Sequence, residues 1–406
     1  MSGPFSAVKI SDRVYWVGAI DWALRDFHGY ATSMGSTYNA YLIVADQITL
    51  VDTVKESLMN EMMARIASVI DPSDIQNIVC NHAEMDHSGL LPRMIREVRP
   101  ERVIASRQGV KALNAHFHWD VQVEEVKDGE CLDLGGARVH FVATPMLHWP
   151  DSMFSYLEGD RVLFSQDAFG MHLASGERFA DELDAELLRQ EAAKYYANIL
   201  LPFSPMVTKL FAKLPSLNLD IGIIAPDHGP IWREKPEQIL ECYSEWATQR
   251  PTRKAVVVYD TMWYSTARMA EAVSEGLASG GLTVKMMPLA GSHRSDVATE
   301  LLEAGTLVVG SPTINGMIYP TVADVLTYIR GLKPKNLIGA AFGSYGWTGE
   351  SIGQVEEYLT EINVEIAAER VRVQYVPDSD ALMRCHALGR QVAAKRKESL
   401  TAGVSS

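Results

Sequence analysis

A segment that reads H-A-E-M-D-H constrains the fold of this chain most, because it places four metal-binding side chains within six residues. They are His82, Glu84, Asp86 and His87. The segment comes directly after the apolar run Ile75–Cys80, which predicts a strand, and the short spacing lets neighbouring side chains converge on adjacent ions. Two of the four are carboxylates, hard ligands that favour iron in higher oxidation states over zinc. A solvated loop is the alternative interpretation of this segment alone.

Three further candidate ligands each follow a predicted strand. They are His148, Asp167 and His228, and ligands at strand ends are typical of α/β scaffolds. The total is four histidines and three carboxylates, enough for two ions with three exclusive ligands each and one bridge. The seven positions together favour a dinuclear metal site over separate packing roles.

The length of 406 residues indicates two domains. Apolar runs in the first part predict an α/β domain with long insertions, and the polar segment at 249–252 predicts the boundary. We therefore expect domains at 1–250 and 254–398. The predicted strands of the first domain lie at 41–44, 78–79, 139–142, 162–164 and 221–224, and its predicted helices at 58–70 and 184–197.

The second domain shows a regular alternation of strands and helices, which predicts a doubly wound parallel sheet. The predicted strands lie at 255–259, 283–288, 306–310, 336–342 and 371–376, and the predicted helices at 267–279, 322–330 and 355–361. The tail from about residue 395 is predicted to be disordered.

Three loops in the second domain predict a flavin site. The loop Asp260–Thr266 has three Ser or Thr hydroxyls and no lysine, so it suits a monophosphate at a helix N-terminus rather than a triphosphate with magnesium. The loops Gly310–Gly316 and Ala341–Gly349 also follow strands, where such folds bind ligands, and Trp347 is placed to flank a flat ring. This favours FMN over an empty fold in which the glycines serve only turns. The candidate flavin-binding residues are Thr261, Met262, Trp263, Tyr264, Ser265, Thr266, Ser311, Pro312, Thr313, Ile314, Asn315, Gly316, Ser344, Tyr345, Gly346, Trp347 and Gly349.

Composition excludes several classes of function. A formal charge of -14 disfavours nucleic acid and anionic membranes as partners. The charge is uneven, with 14 Lys and Arg against 16 Asp and Glu from Lys254 onward, and 23 against 35 before it. No signal peptide and no apolar run of about 18 residues is visible, so a membrane span is not expected. Four scattered cysteines without a CxxC pair are typical of a reducing cytoplasm and offer no iron–sulfur or rubredoxin-type module.

The ligand set, the flavin loops, their order and the segment Arg25–Tyr30 are similar to flavodiiron proteins (A-type flavoproteins), over essentially the whole chain and closest to the two-domain members. The resemblance implies a metallo-β-lactamase-like αββα domain followed by a flavodoxin-like domain. It also implies that His82, Glu84 and His148 bind one iron, that Asp86, His87 and His228 bind the other, and that Asp167 bridges them. Whether His87 binds iron in the resting state stays open. Hydrolytic relatives with HxHxDH have a histidine where this chain has Glu84.

The same resemblance implies an oxidoreductase with FMN and two non-haem irons per chain. It implies reduction of dioxygen by four electrons to two waters, or alternatively of two nitric oxides by two electrons to nitrous oxide and one water. Rubredoxin or a similar small redox protein is the implied donor, with a deazaflavin coenzyme as the alternative, and a head-to-tail homodimer or a dimer of dimers is the implied assembly. The residues expected around the gas are His28, Trp149 and Tyr195 or Tyr196. A dinuclear zinc hydrolase and an electron carrier that uses only FMN are the competing hypotheses.

Overall fold

The computed structural model describes residues 4–402, which form two compact units. The first unit comprises residues 4–28, 32–195 and 203–244, and the second comprises 29–31, 196–202 and 245–402. Each unit has its own sheets and its own hydrophobic core, as expected for a chain of this length.

The first unit is built on two sheets that face each other. Trp16, Tyr41 and Ile43 from one sheet pack against Phe141 and Phe164 from the other in a common core. A second cluster covers the outer face of the first sheet with helices. The seven-stranded sheet runs in the order Val8–Lys9, Val14–Trp16, Tyr41–Ile43, Thr49–Val51, Asn77–Cys80, Arg102–Ser106 and Val123–Val126, and the five-stranded sheet in the order Cys131–Asp133, Arg138–Ala143, Met153–Leu157, Val162–Gln166 and Ile223–Pro226.

Helices and short strands complete the described part of this unit. The α-helices are Met59–Ala67, Met85–Ser88, Leu91–Val98, Arg107–Phe117, Ala185–Tyr195, Ser204–Lys213 and Glu237–Thr248, the last of which continues into the second unit. The short strands Ala19–Asp21 and Ser36–Tyr38 pair with each other. After the helix that ends at Tyr195, the chain passes to the second unit, where Tyr196–Leu200 forms one π-helical turn.

The second unit contains one parallel sheet with helices on both faces. The strand Ile338–Tyr345 pairs with Thr306–Gly310 and with both Glu365–Ile366 and Val371–Gln374. The order of the remaining strands is Thr283–Pro288, Lys254–Tyr259, Thr306–Gly310. Its α-helices are Ser265–Ser279, Arg294–Leu302, Pro320–Leu332, Ser351–Glu361 and Ser379–Ala402, and a hairpin joins Thr313–Ile314 to Met317–Ile318.

The C-terminal segment contradicts the prediction that the chain is disordered from about residue 395. The chain from residue 395 is helical as far as Ala402, because Cys385, Leu388 and Val392 of this long helix are buried in the core beside the helix Ser265–Ser279. Of the charged residues at 395–398, Arg396 is buried as well, and the other three are half-buried or exposed. The structure also adds the helix Arg294–Leu302, which the sequence analysis left unassigned.

Two smaller differences lie in the first unit. The predicted loop around Asp86 is instead the short helix Met85–Ser88. The strand predicted at 221–224 begins two residues later and runs Ile223–Pro226. Across residues 4–402, no helix combines the length and the apolar character needed to cross a membrane.

Candidate metal and flavin sites

The candidate metal ligands of the first unit come from the ends of three strands and from one short helix. The strand Asn77–Cys80 leads into His82 and Glu84, and the helix Met85–Ser88 carries Asp86 and His87. The two further strands end at Gln166 and Pro226, directly before Asp167 and close before His228. His148 lies in the turn between two strands of the same sheet.

Four of these residues form one compact group. His82 Nε2 lies 3.3 Å from Glu84 Oε2 and 3.2 Å from Asp167 Oδ2. His148 Nε2 lies 3.2 Å from the same Glu84 oxygen and 2.9 Å from the same Asp167 oxygen. Two imidazoles and two carboxylates therefore converge on one point, within the distances at which they can share a metal ion.

The other residues form a second group around the opposite oxygen of Asp167. Its Oδ1 lies 3.2 Å from His87 Nε2 and 3.4 Å from His228 Nε2. Asp86 Oδ2 lies 3.5 Å from His87 Nε2 and 3.3 Å from His228 Nε2. One oxygen of Asp167 thus faces each group, which is the arrangement of a carboxylate that bridges two ions.

Buried polar atoms without hydrogen bonds show that this arrangement fits metal ions. Both carboxylate oxygens of Asp86, Asp167 Oδ1 and both ring nitrogens of His87 are buried and make no hydrogen bond. Leaving such atoms unsatisfied costs several kcal/mol, roughly 1–3 kcal/mol for each. A cation bound between them would satisfy Asp86 Oδ2, Asp167 Oδ1 and His87 Nε2, which face one another, while His87 Nδ1 lies on the other side of its ring, 3.5 Å from Asp227 Oδ2.

A second layer of residues orients the imidazoles from behind. Asp151 Oδ2 lies 3.0 Å from His82 Nδ1 and also accepts the backbone N–H of Ala83 at 2.6 Å. The carbonyl oxygen of Thr37 lies 2.6 Å from His228 Nδ1. Because each contact uses the nitrogen that faces away from the metal group, it fixes the ring and the tautomer for binding through Nε2.

Buried Asp52 holds the start of the ligand segment. Its carboxylate accepts hydrogen bonds from Asn81 N at 2.7 Å and from Asn81 Nδ2 at 2.9 Å. Ser155 Oγ donates to Asn81 Oδ1 at 2.5 Å. Burial raises the pKa of Asp52 to about 6, against the opposing effect of nearby His87. The backbone that carries His82 is therefore fixed to both sheets of the first unit.

Of the residues expected around the gas, three lie beside the metal groups. His28 Nε2 is 3.7 Å from Glu84 Oε1, and the Trp149 ring is 5.3 Å from that of His82. The ring of Tyr195 is 6.1 Å from that of His228. The ring of Tyr196 instead packs on Trp246, and both residues belong to the second unit. Tyr196 begins the π-helical turn that follows the helix ending at Tyr195.

The candidate flavin pocket lies at the carboxyl ends of the parallel strands in the second unit. It has a volume of about 460 Å³. Trp263 and Trp347 lie at its mouth and are 84% and 85% exposed, which is unusual for large aromatic side chains. Its lining residues are Met262, Trp263, Ser265, Pro312, Thr313, Ser344, Tyr345, Gly346, Trp347, Tyr375 and Val376.

The loop before the helix Ser265–Ser279 fits a phosphate group. Thr261 Oγ1 is buried and has no hydrogen-bond partner, while Asp260 Oδ1 accepts the backbone N–H of Thr261 at 2.7 Å and shapes the loop. Thr266 Oγ1 lies 2.9 Å from Ser344 Oγ, which joins this loop to a neighbouring strand end. A buried hydroxyl without a partner, in the loop that leads into a 15-residue helix, suits a phosphate dianion.

The other candidate flavin residues have structural roles around this pocket. Ser311 Oγ accepts the backbone N–H of Tyr319 at 3.0 Å, and Asn315 and Gly316 form the left-handed turn of the hairpin. Tyr375 and Val376 line the pocket although the sequence analysis placed them inside a strand. The strand in fact ends at Gln374, so a boundary error of two residues concealed a fourth strand-end loop.

Comparison with known proteins gives consistent results over the whole chain. Residues 37–229 match the ODP family beta lactamase model, and residues 257–389 match the flavodoxin model. The chain is 46% identical over 392 residues to the nitric oxide reductase of Moorella thermoacetica, covering 96% of this chain and 98% of that protein. It is 44% identical over 402 residues to the rubredoxin-oxygen oxidoreductase of Megalodesulfovibrio gigas, covering 98% and 100%. The crystal structure of the flavodiiron protein from Giardia intestinalis superposes with a TM-score of 0.93 at 30% identity, covering 98% of each chain.

The chain belongs to the flavodiiron proteins.

Membership confirms three predictions from the sequence: the family, the fold class with its β-lactamase-like and flavodoxin units, and an oxidoreductase activity. The individual ligand and flavin residues stay predictions, supported by the geometry above. Asp52, Asp151 and Thr37 were missed because no motif marks them. Asp151 is the exception, because its position three residues after the predicted ligand His148 could have marked it as part of the site.

Two imidazoles of the candidate metal site, those of His82 and His87, have raised pKa values. Burial lowers the pKa of His82, but its hydrogen bonds to Asp151 and Asp167 outweigh burial and raise the pKa well above its usual range. Burial likewise opposes the charged form of His87, yet the carboxylates led by Asp86 raise its pKa to about 10. The same carboxylates that attract a metal ion therefore also attract protons.

Uptake of Fe²⁺ by protein stripped with a chelator is expected to release protons. Since a raised histidine pKa favours the protonated form, the protons compete with metal more strongly as the pH falls. The affinity for Fe²⁺ should increase about tenfold per pH unit for each proton displaced. Calorimetric titrations in buffers of different ionisation enthalpy measure the number released. An affinity that does not change between about pH 6 and pH 8 would contradict these pKa directions.

Proposed function

We propose that this flavodiiron protein reduces dioxygen to water at two non-haem irons, with electrons passed through FMN from rubredoxin or a similar small redox protein. The observation that carries the proposal is Asp167, whose two oxygens face two separate groups of imidazoles and carboxylates. Three carboxylates among seven ligands suit iron in its higher oxidation states. The rubredoxin-oxygen oxidoreductase of Megalodesulfovibrio gigas, similar over its whole length, supports the choice of gas and donor.

In the first unit, the irons would supply electrons and a binding position for the gas. The residues of the chain would bind the irons and enclose them. Asp151 orients His82, and Trp149 and Tyr195 pack beside the metal groups and limit the access of water. Restricting water near the reacting gas keeps partly reduced oxygen from escaping.

In the second unit, FMN would supply one-electron storage between donor and gas. Thr261 and the N-terminal amides of its helix would bind the phosphate. Trp263 and Trp347, which are exposed at the mouth of the pocket, would cover the ring. Gly346, which lines the pocket, would let the backbone approach the ring closely, and backbone amides there would tune the flavin potential.

The overall reaction takes four electrons and four protons per dioxygen and gives two waters. Nitric oxide is the second candidate substrate: two molecules, two electrons and two protons give nitrous oxide and one water. The observation that favours it is the 46% identity to the nitric oxide reductase of Moorella thermoacetica. Both reactions would use the same seven candidate ligands.

Steady-state consumption of each gas by iron-loaded, FMN-loaded protein with reduced rubredoxin decides between them. We expect dioxygen to be consumed faster than nitric oxide at saturation, without release of hydrogen peroxide. Much faster consumption of nitric oxide would reverse the choice. Reduced deazaflavin coenzyme in place of rubredoxin tests the alternative donor in the same assay.

Metal content separates the proposal from its competitors. Protein expressed in iron-replete medium is expected to contain two irons and one FMN per chain. Two zinc ions without iron would indicate the dinuclear hydrolase instead. Full flavin content without gas consumption under either gas would indicate a simple electron carrier.

We extend the proposal to a head-to-tail homodimer, or a dimer of such dimers, in the cytoplasm. Its support is membership of the family and, for the compartment, four cysteines that form no disulfide in the described residues. Sedimentation of the flavin- and iron-loaded protein tests the assembly, and a monomer at micromolar concentration would contradict it.

A further inference from the structure

A basic cavity lies in the second unit at the end of the sheet opposite the flavin pocket. The strand Ile338–Tyr345 begins in this cavity and ends in the flavin pocket, so the two are separated by about 23 Å at 3.3 Å per residue. The cavity has a volume of about 940 Å³. Its charged lining residues are Arg250, Arg330, Lys333, Lys335, Glu361, Glu365 and Arg396.

Most of the cations in the basic cavity lack a carboxylate partner. Arg330 pairs with Glu361 at 2.5 Å, and Glu365 pairs with Lys395 at 3.1 Å, so both acids are already engaged. Among the described residues, no carboxylate lies within 4.0 Å of the side-chain nitrogens of the other four cations, Arg250, Lys333, Lys335 and Arg396. Such a cluster is unusual in a chain whose formal charge is -14.

Arg396 is the least expected of these cations, because only 2% of it is exposed. Its Nη2 donates to the carbonyl oxygens of Gly305 and Asn336, and its Nη1 donates to Ser399 Oγ at 3.0 Å, but its Nε is buried without a partner. Burial lowers the pKa of Arg396, against the opposing effect of the Glu365 carboxylate. A buried cation is costly unless an anion accompanies it.

The loop that carries the two lysines is held rigidly. Gln249 Oε1 accepts the backbone N–H of Lys335 at 2.7 Å, and the carbonyl oxygen of Gln249 accepts Asn336 Nδ2 at 2.9 Å. Lys333 and Asn336 both have left-handed backbone conformations, with φ of 53° and 60°. Lysines near helix C-termini often only complement the helix dipole. Here, however, they stand on a fixed loop beside Arg250 and a buried arginine.

We propose that the basic cavity binds a phosphorylated small molecule of nucleotide size. Its phosphates contact Arg250, Lys333 and Lys335, and its ring packs on Pro251, the one apolar residue of this lining that is not buried. The volume lies at the upper end of the range of about 300–1000 Å³ that is typical of small-molecule sites. A concave site of this size favours a small anion over the flat surface of an acidic protein. The site is independent of the proposed gas reduction.

Calorimetric titration of the full, FMN-loaded protein with ATP and with inorganic triphosphate tests the proposal. We expect one ATP per chain with a Kd below about 100 μM, weakened by salt because charge dominates the contact. The double variant Lys333→Gln/Lys335→Gln should raise this Kd at least tenfold. Both lysines are exposed, so the fold should be unaffected. Triphosphate should bind more weakly than ATP, because it lacks the ring.

The matched control is Lys111→Gln/Lys209→Gln, which removes the same charge from exposed positions of the first unit and should change the Kd less than twofold. No binding of ATP at millimolar concentration would overturn the proposal, and so would equal weakening in the control. Release of FMN during the titration would place the ATP in the flavin pocket and also overturn it. Equal affinity for triphosphate would overturn the nucleotide assignment in favour of an inorganic anion. None of these results depends on metal content or gas turnover.

Discussion

Asp167→Asn is expected to abolish gas reduction by this flavodiiron protein. Asparagine keeps the volume of the side chain but has one oxygen and no charge, so it cannot serve both metal groups, which lie on opposite oxygens of Asp167. Even residues that only orient metal ligands contribute about 10–100-fold to affinity or activity, so replacing a shared ligand should cost at least a hundredfold in turnover. Turnover is measured with reduced rubredoxin under dioxygen and, separately, under nitric oxide.

Metal analysis of the same variant gives a readout besides activity. The iron content of Asp167→Asn should fall from two per chain to one or none, while its FMN content stays at one. Asp120→Asn, at an exposed position of the same unit, is the matched control and should keep both. Retention of two irons together with normal turnover would show that Asp167 does not bridge them.

The second large effect is expected from removing two hydroxyls of the phosphate loop. In Thr261→Val/Thr266→Val, a phosphate dianion loses two hydrogen-bond donors, each worth about 1.5–3 kcal/mol when the acceptor is charged. At about 1.4 kcal/mol per tenfold, this weakens FMN binding by at least a hundredfold. The purified variant should contain little flavin and should no longer pass electrons from rubredoxin to gas.

The iron content of this double variant should be unchanged, because the metal groups belong to the other unit. Thr283→Val, at an exposed strand start in the second unit, is the matched control and should bind FMN normally. Flavin absorbance and a fluorescence titration of flavin-free protein measure the affinity. If the FMN affinity of the variant stays within about threefold of that of the unaltered protein, groups other than these two hydroxyls hold the phosphate. The loss of even one hydrogen bond to a charged acceptor would weaken binding by more than about threefold.

The secondary structure was most predictable in the parallel sheet of the second unit. The strands at 283–288 and 306–310 were placed to the residue, although only Thr306–Gly310 is buried throughout and Thr283–Pro288 is a largely exposed edge strand. The C-terminal helix was misjudged, since its apolar positions are diluted by charge and become meaningful only against the helix Ser265–Ser279. Packing, rather than local propensity, decides such a segment.

The residues of the candidate sites were likewise predictable where a local pattern marks them and not where packing decides. The sequence predicted the ligands His82, Glu84 and Asp86, because three metal-binding residues in one short segment are rarely accidental. The flavin loops were visible because they follow strands whose carboxyl ends must meet at one edge of a parallel sheet. Tyr375 was missed only because the end of its strand was placed two residues too late.

The chemistry is legible in the order of the residues: which donor atoms are available, that a carboxylate replaces an imidazole at Glu84, and that a hydroxyl-rich loop opens a helix in a doubly wound sheet. How those groups are shared depends on the folded chain. It places the two oxygens of Asp167 toward different groups, sets Asp151 behind His82, and gathers Lys333 and Arg396 around one cavity. The physical reason is distance along the chain. Residues within one segment constrain one another through local geometry, whereas contacts across tens or hundreds of residues exist only after the sheets have packed.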